Sequence, residues 1–287
     1  MIIYYKNETN LTKYLESKHQ TTLYKDGGFL TKIGLKKRVY PDIYFHSGGL
    51  SELSTRLIKN SKITIVNSTI LKDKICKTLG INGEKIEVIL PAYEPKEYKK
   101  KEVQKAFKEE HNIDKKKKII YFTAKDFMKN GFSQFVSIIN NLEMMNWQAV
   151  ISTKEEKQKI YAKELLQHHK LLDDVLIVED EIFDVADIFV LPTTLENFSI
   201  LVLKAMANKC IVFSTTNNNA IEIMDVFSIM DGPKDSNTSY KIDMLLRVKE
   251  EMKKIKKENF EVASKLTYQY QKNKLDKILV ENLEKKS

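Results

Sequence analysis

Ile188-Phe189-Val190-Leu191-Pro192-Thr193-Thr194-Leu195-Glu196-Asn197-Phe198-Ser199-Ile200-Leu201-Val202-Leu203-Lys204-Ala205-Met206-Ala207 runs, two residues later, into Cys210-Ile211-Val212-Phe213. Positions 188–191 are wholly apolar and stop at Pro192, which cannot donate to a sheet ladder, so they read as a short buried strand. Residues 199–207 are apolar at almost every position and predict a buried helix. Positions 210–213 predict the next strand. Strand, loop, helix, strand is the unit of a parallel sheet covered on both faces.

The same rhythm extends towards the N-terminus. Ile119-Ile120-Tyr121-Phe122, Trp147-Gln148-Ala149-Val150-Ile151 and Val175-Leu176-Ile177-Val178 predict strands, with helical patterns over 132–142 and 154–166. Residues 91–118 break the pattern. They hold Pro91, Pro95 and lysine runs at 99–101 and 115–118, and read as a linker with a charged helix over 101–111, its charges on a solvated face. Before the linker a second α/β series begins at Ile2-Ile3-Tyr4-Tyr5. It continues through a helix opened by Asn10-Leu11-Thr12, a strand at 21–24, Pro41 to His46, a helix over 50–59, Ile63 to Val66, a helix closed by Gly80, and Ile86 to Leu90. After 240 the chain is helical and basic. Leu245, Val248 and Met252 form one apolar stripe and Leu266, Tyr270 and Leu275 a weaker one, expected to pack on the parent domain. The expected organisation is two α/β domains, 1–95 and 96–287, facing a cleft.

The 287 residues carry 48 Lys and Arg against 39 Asp and Glu, a formal net charge of +9, with 42% hydrophobic and 30% charged residues. That balance excludes extensive disorder and favours polyanionic or phosphorylated partners. Cys76 and Cys210 are far apart with no second ligand at metal spacing, so buried free thiols in a reducing cytoplasm are expected. Met1 to Lys6 turns polar too soon for a leader, and no apolar run reaches spanning length, so any membrane contact is expected to be peripheral.

Ligands of open parallel sheets bind beyond the carboxyl ends of strands. The loop Thr123-Ala124-Lys125-Asp126-Phe127-Met128-Lys129-Asn130-Gly131 puts two lysines between a strand and a helix start, where free amides and a partial positive charge suit phosphate. In the loop 192–199, Ser199 is expected to cap the following helix, and Glu196 to accept bonds from sugar hydroxyls. Asp173-Asp174 precedes a strand and reads as a turn, so no metal site is expected.

The segment 188–207 resembles the signature of retaining glycosyltransferases of family 4, which have the GT-B fold: strand, Pro-Ser/Thr, Glu-Gly-Phe-Gly, and a helix ending Glu-Ala-Met-Ala. Cys210 to Thr215 is similar to the family's next strand, and Asn219-Ala220-Ile221-Glu222-Ile223 to its Gly-x-Pro-Glu-Ile segment. Phe122 to Gly131 resembles its Gly-Arg … Lys-Gly phosphate loop. Residues 63–68 and 85–91 resemble the end of its first domain. The resemblance spans about residues 42–230 and is most specific over 186–213.

It implies two Rossmann-like domains, the first on the acceptor side and reduced, the second binding a nucleotide sugar. Glu196 matches the first glutamate of the Glu-x7-Glu motif, on the donor sugar. Lys125 matches the phosphate-binding arginine, and Lys129 lies near the phosphate-binding lysine. Asn197, Phe198 and Ser199 match the loop whose amides hold the diphosphate, and His46 resembles a histidine beside the reacting carbon. The ribose-binding second glutamate is Lys204 here, and a cation accepts no hydroxyl bonds. The first strand also lacks the usual Gly-rich loop, for which Gly27-Gly28 or Gly48-Gly49 are the candidates. The implied activity is metal-independent transfer of a sugar, with retention, to a glycan or glycolipid of the cell envelope. No cofactor beyond the donor substrate and no nucleic-acid partner is expected. Lys204 and the short first domain motivate the alternative of a non-catalytic scaffold or glycan-binding subunit.

Overall fold

A computed structural model describes residues 1–26 and 38–284. Gly27 and Gly28, candidates for a glycine-rich loop, lie outside the described residues. The chain divides into two units, Met1–Ala92 with Leu266–Ser287, and Tyr93–Lys265.

In the first unit, β1 (Ile2–Tyr5), β2 (Thr22–Leu23), β3 (Ile43–His46), β4 (Ile63–Val66) and β5 (Ile86–Val88) form a parallel sheet in the order β2-β1-β3-β4-β5. Alternation sorts its side chains. Ile43, Ile63 and Ile65 face a core shared with Leu11 and Leu15 of α1 (Asn10–Lys18). Tyr44 and Val66 face the opposite core with Leu57 of α2 (Glu52–Asn60) and Ile75 of α3 (Thr69–Leu79). Capping boxes at Thr9 and Ser51 start α1 and α2, and Gly80, at φ +63°, ends α3 as expected.

The second unit contains α4 (Lys100–Glu110), β6 (Lys118–Thr123), α5 (Phe132–Asn140), β7 (Trp147–Ser152), α6 (Glu156–His168), β8 (Val175–Val178), β9 (Ile188–Leu191), α7 (Ile200–Ala207), β10 (Ile211–Thr215), β11 (Ile229–Met230), α8 (Asn237–Arg247) and α9 (Lys249–Ala263). Its strands are parallel in the order β11-β10-β9-β6-β7-β8. The chain leaves β6 in one direction through β7 and β8, then returns to add β9 on the other side. The strand order therefore reverses between β6 and β9, the place at which open parallel sheets in general bind their ligands.

The structure corrects two expectations. The final helix, α10 (Tyr268–Leu279), belongs to the first unit and not to a domain running from 96 to the end. Leu275, Ile278 and Leu279 complete the core of Leu11 and Leu15, Tyr14 Oη donates to Asp276 at 2.8 Å, and Gln271 Nε2 donates to Leu90 O at 2.8 Å. Nor are the lysines of α4 all on a solvated face. Lys100 Nζ donates to Ala186 O at 2.7 Å and Asn208 O at 2.5 Å, and Lys108 Nζ to Lys117 O at 2.6 Å. Burial pushes both ammonium groups below the usual lysine range.

These contacts pin α4 to the amino end of the second sheet, where Asp187 is 3% exposed. Asp187 accepts the Ile119 amide at 3.0 Å and pairs with Lys256 of α9. Burial alone would raise its pKa, but Lys256, Lys118 and the Ile119 amide together hold it below the usual carboxylate range. Among the described residues no helix is long and apolar enough to cross a membrane.

Replacing Asp187 by Asn strands the Lys256 charge and should lower unfolding free energy by about 3–5 kcal/mol. A depressed native pKa means that the carboxylate's contribution is full above the unfolded-state pKa and is lost as pH falls through the native one. Urea titrations from pH 7 to pH 3 should therefore show the steepest acid loss in the wild type and a shallower one in Asp187→Asn.

Candidate functional site

The loop after β6 is anchored from within. Phe127 is buried against Phe122 and Phe132, with ring centroids 5.1 and 5.0 Å away. Gln158 of α6 clamps its backbone, accepting from the Phe127 amide at 2.8 Å and donating to Lys125 O at 2.5 Å. With Phe127 turned in, Lys125 and Lys129 are left exposed. Lys129 lies 3.4 Å from Asp126, whose carboxylate also accepts the Lys129 amide at 3.1 Å. That backbone bond and then the lysine charge hold Asp126 below the usual carboxylate range.

The loop after β9 meets this one directly. Thr194 donates to Lys129 O through its amide at 3.3 Å and its hydroxyl at 3.1 Å, and Thr193 Oγ1 donates to Asn130 Oδ1 at 3.2 Å. Gly131, at φ +79°, lies so close to Pro192 that an added Cβ would stand 1.9 Å from the Pro192 carbonyl oxygen. Glu196 follows two residues after Thr194 and is exposed, as is Asn197. The structure thus brings the loop of Lys125 and Lys129 and the loop of Glu196 together where the strand order reverses.

The start of α7 differs from expectation. Ser199 occupies the N-cap position without a side-chain cap bond, and its amide is taken by Asn218 Oδ1 at 3.0 Å. The Asn197 amide is also committed, to Leu195 O at 3.1 Å, and Phe198 is buried. The amides left to face an anion are those of Ile200 and Leu201 in the first turn. Asn218, fully buried in the loop after β10, is a residue the sequence reading missed. Its Oδ1 also accepts the Ala220 amide at 3.0 Å and its Nδ2 donates to Ser214 Oγ at 3.0 Å. The run Asn217-Asn218-Asn219 after a strand was the available signal, since asparagine side chains bond nearby backbone in turns.

Lys204 is already paired within the protein. Its ammonium lies 2.9 and 3.2 Å from the two carboxylate oxygens of Glu181, in the segment that leaves β8. His46 belongs to the first unit, at the carboxyl end of β3. It is 4% exposed, its Nδ1 is 2.8 Å from Tyr44 Oη, and its Nε2 is buried without a hydrogen-bond partner. Burial lowers its pKa, with the Gly48 backbone opposing, which favours the neutral ring. Gly48, at φ +86°, shapes the turn that follows.

Residues 103–262 match the family model described as Glycosyl transferases group 1. No curated protein matches the chain in sequence. Among solved structures, the chain is similar to a glycosyltransferase from Rickettsia africae ESF-5, at 15% identity and a TM-score of 0.72 over 98% of this chain and 76% of that one. It is similar to Anabaena Alr3699/HepE in complex with UDP-glucose, at 11% identity and 0.74 over 98% and 99%. It is also similar to WaaG, a glycosyltransferase involved in lipopolysaccharide biosynthesis, at 10% and 0.68 over 99% and 100%. The fold shared with these proteins is GT-B, as the sequence led us to expect.

The approach of Gly131 to Pro192 gives a direct test. Gly131→Ala adds the left-handed backbone strain to a clash with backbone and should cost about 2–4 kcal/mol in chemical denaturation. Gly80→Ala, where nothing lies within 4 Å of the added carbon, should cost only the strain, about 1 kcal/mol.

Proposed function

The chain belongs to the glycosyl transferases group 1, and on that premise we propose that it moves a sugar from a nucleotide-sugar donor to a glycan or lipid-linked acceptor, with retention at the anomeric carbon. The observation that carries this reading is the pair of bonds from Thr194 to Lys129 O, which joins the cationic loop to the loop of Glu196 at the reversal of strand order. A diphosphate seated there would meet the Lys125 and Lys129 ammonium groups and the amides of Ile200 and Leu201.

In the proposed reaction the bond from the anomeric carbon to the diphosphate breaks, and its electrons remain on the phosphate oxygen. The acceptor oxygen bonds the same face of that carbon, and its proton passes to the departing diphosphate. Charge builds on the leaving oxygen, so fixed cations and amides aimed at it favour the transition state over the ground state. With those groups carrying the charge, the scheme requires no metal. Glu196 orients the sugar by accepting from its hydroxyls.

The UDP-glucose complex of the Anabaena protein supports a nucleotide-sugar donor, and the involvement of WaaG in lipopolysaccharide biosynthesis supports an envelope glycan or glycolipid acceptor. A net charge of +9 favours work at the anionic inner face of a membrane, as a cytoplasmic, peripheral protein.

Lys125→Ala and Glu196→Ala should each slow release of nucleoside diphosphate from a panel of UDP-, GDP- and ADP-sugars by about 100-fold or more, with unchanged circular dichroism. Full activity in both variants would discard this site. The scaffold alternative predicts no nucleotide binding by calorimetry at millimolar concentration.

A further inference from the structure

The proposed donor leaves the nucleoside without a partner, because the residue one turn into α7 is a lysine that the structure shows already engaged. Lys204 is three residues beyond Leu201, about 4.5 Å along the helix axis. It stands on the face of α7 that carries Ile200, one turn further on, so a ligand reaching along that face from a phosphate on the first-turn amides would meet it. Its ammonium is bound by both oxygens of Glu181 and lies 6.0 Å from the ring centroids of Tyr93 and Phe183. Three directions around the ammonium are therefore set, and the carboxylate is set with it.

The backbone bearing Glu181 is also fixed. Its neighbour Ile182 is buried and donates to Tyr121 Oη at 3.3 Å, and Phe183 packs edge-on against Tyr121 at 5.2 Å. The two preceding acids are tied down separately, Glu179 to Lys159 and Asp180 to Lys154, each at 2.7 Å. Glu181 itself keeps 48% of its side chain exposed. An ionised carboxylate has about four lone-pair directions, and one ammonium cannot use them all. What remains open is an acceptor without donors, held in place beside a half-buried tyrosine ring. A vicinal diol next to a flat heterocycle has the complementary chemistry.

We propose that Glu181, positioned by Lys204, accepts the hydrogen bonds of the ribose hydroxyls of the donor nucleotide. The acid that reads the sugar thus comes from the loop after β8, and the helix contributes the cation that aims it. This rests on the donor site proposed above, and the experiment separates the two.

Binding of uridine, guanosine, adenosine and cytidine diphosphates and their 2′-deoxy counterparts is measured by calorimetry, with inorganic pyrophosphate as the control. The wild type should prefer at least one ribonucleotide over its deoxy form by about tenfold or more, the usual worth of a bond to a charged acceptor. In Glu181→Gln that preference should fall to about twofold or less, with pyrophosphate affinity unchanged. Lys204→Met should weaken the preference in the same direction, because the carboxylate loses its brace. If the wild type shows no preference, or Glu181→Gln retains it, the inference fails while the phosphate site stands. If neither nucleotides nor pyrophosphate bind the wild type, the donor site itself is wrong and this inference falls with it.

Discussion

The second unit depends on a backbone approach that a single residue type permits. β6 and β9 are neighbours in the sheet, so the loops leaving their carboxyl ends must share a space no wider than one strand spacing, about 4.8 Å. They do so because Gly131 presents no side chain to Pro192. Once that contact is made, Lys129 O comes within reach of both donors of Thr194, and Asn130 within reach of Thr193. The cationic loop and the carboxylate loop are then one piece of structure. Groups fixed in this way need no rearrangement when charge develops in front of them.

The two ends of this sheet use charge in opposite ways. At the amino end, Asp187 is buried with Lys256 and an amide of β6, and Lys100 donates to the carbonyl oxygens of Ala186 and Asn208. Such contacts hold because each buried charge meets opposite charge or aligned dipoles, and removing one partner is expensive. At the carboxyl end, rigidity comes from neutral groups: Gln158 across the first loop, Asn218 across the second, and Thr215 Oγ1 donating to Thr193 O at 2.6 Å. Lys125 and Lys129 there are exposed. One lysine-rich composition thus serves as internal staple at one end of the strands and as exposed cations at the other.

Much of this was legible in the sequence. Short apolar strands alternating with helices predicted the two parallel sheets, and Pro192 with Gly131 marked where loops begin and end. Other features carried no local signal. The stripe of Leu266, Tyr270 and Leu275 has the same period whichever sheet it covers, so helical spacing alone could not return α10 to the first unit. The serine before α7 had the right identity and place for a cap, yet Asn218, nineteen residues later, takes its amide. Lys100 looks like any other lysine in a charged run, and only the fold shows the carbonyls around it. Nothing in the sequence sets Glu181 apart, because the segment joining β8 to β9 has no helix and residues there read as a connection.

Lys129 poses a further question, since the structure gives it a carboxylate partner before any phosphate arrives. The pair with Asp126 is exposed on both sides, 69% and 43%, and such pairs contribute about 0–1 kcal/mol. Asp126 does not depend on the ammonium, because the Lys129 amide occupies its Oδ1. In the proposed donor site a diphosphate, with more charge and more oxygens, would therefore draw the ammonium away at little cost and leave no buried group unsatisfied. The carboxylate then remains as the brace of the loop, held by backbone, while the side chain turns to the ligand. On that proposal Asp126 would keep the lysine near the diphosphate position in the empty protein without competing strongly for it in the occupied one.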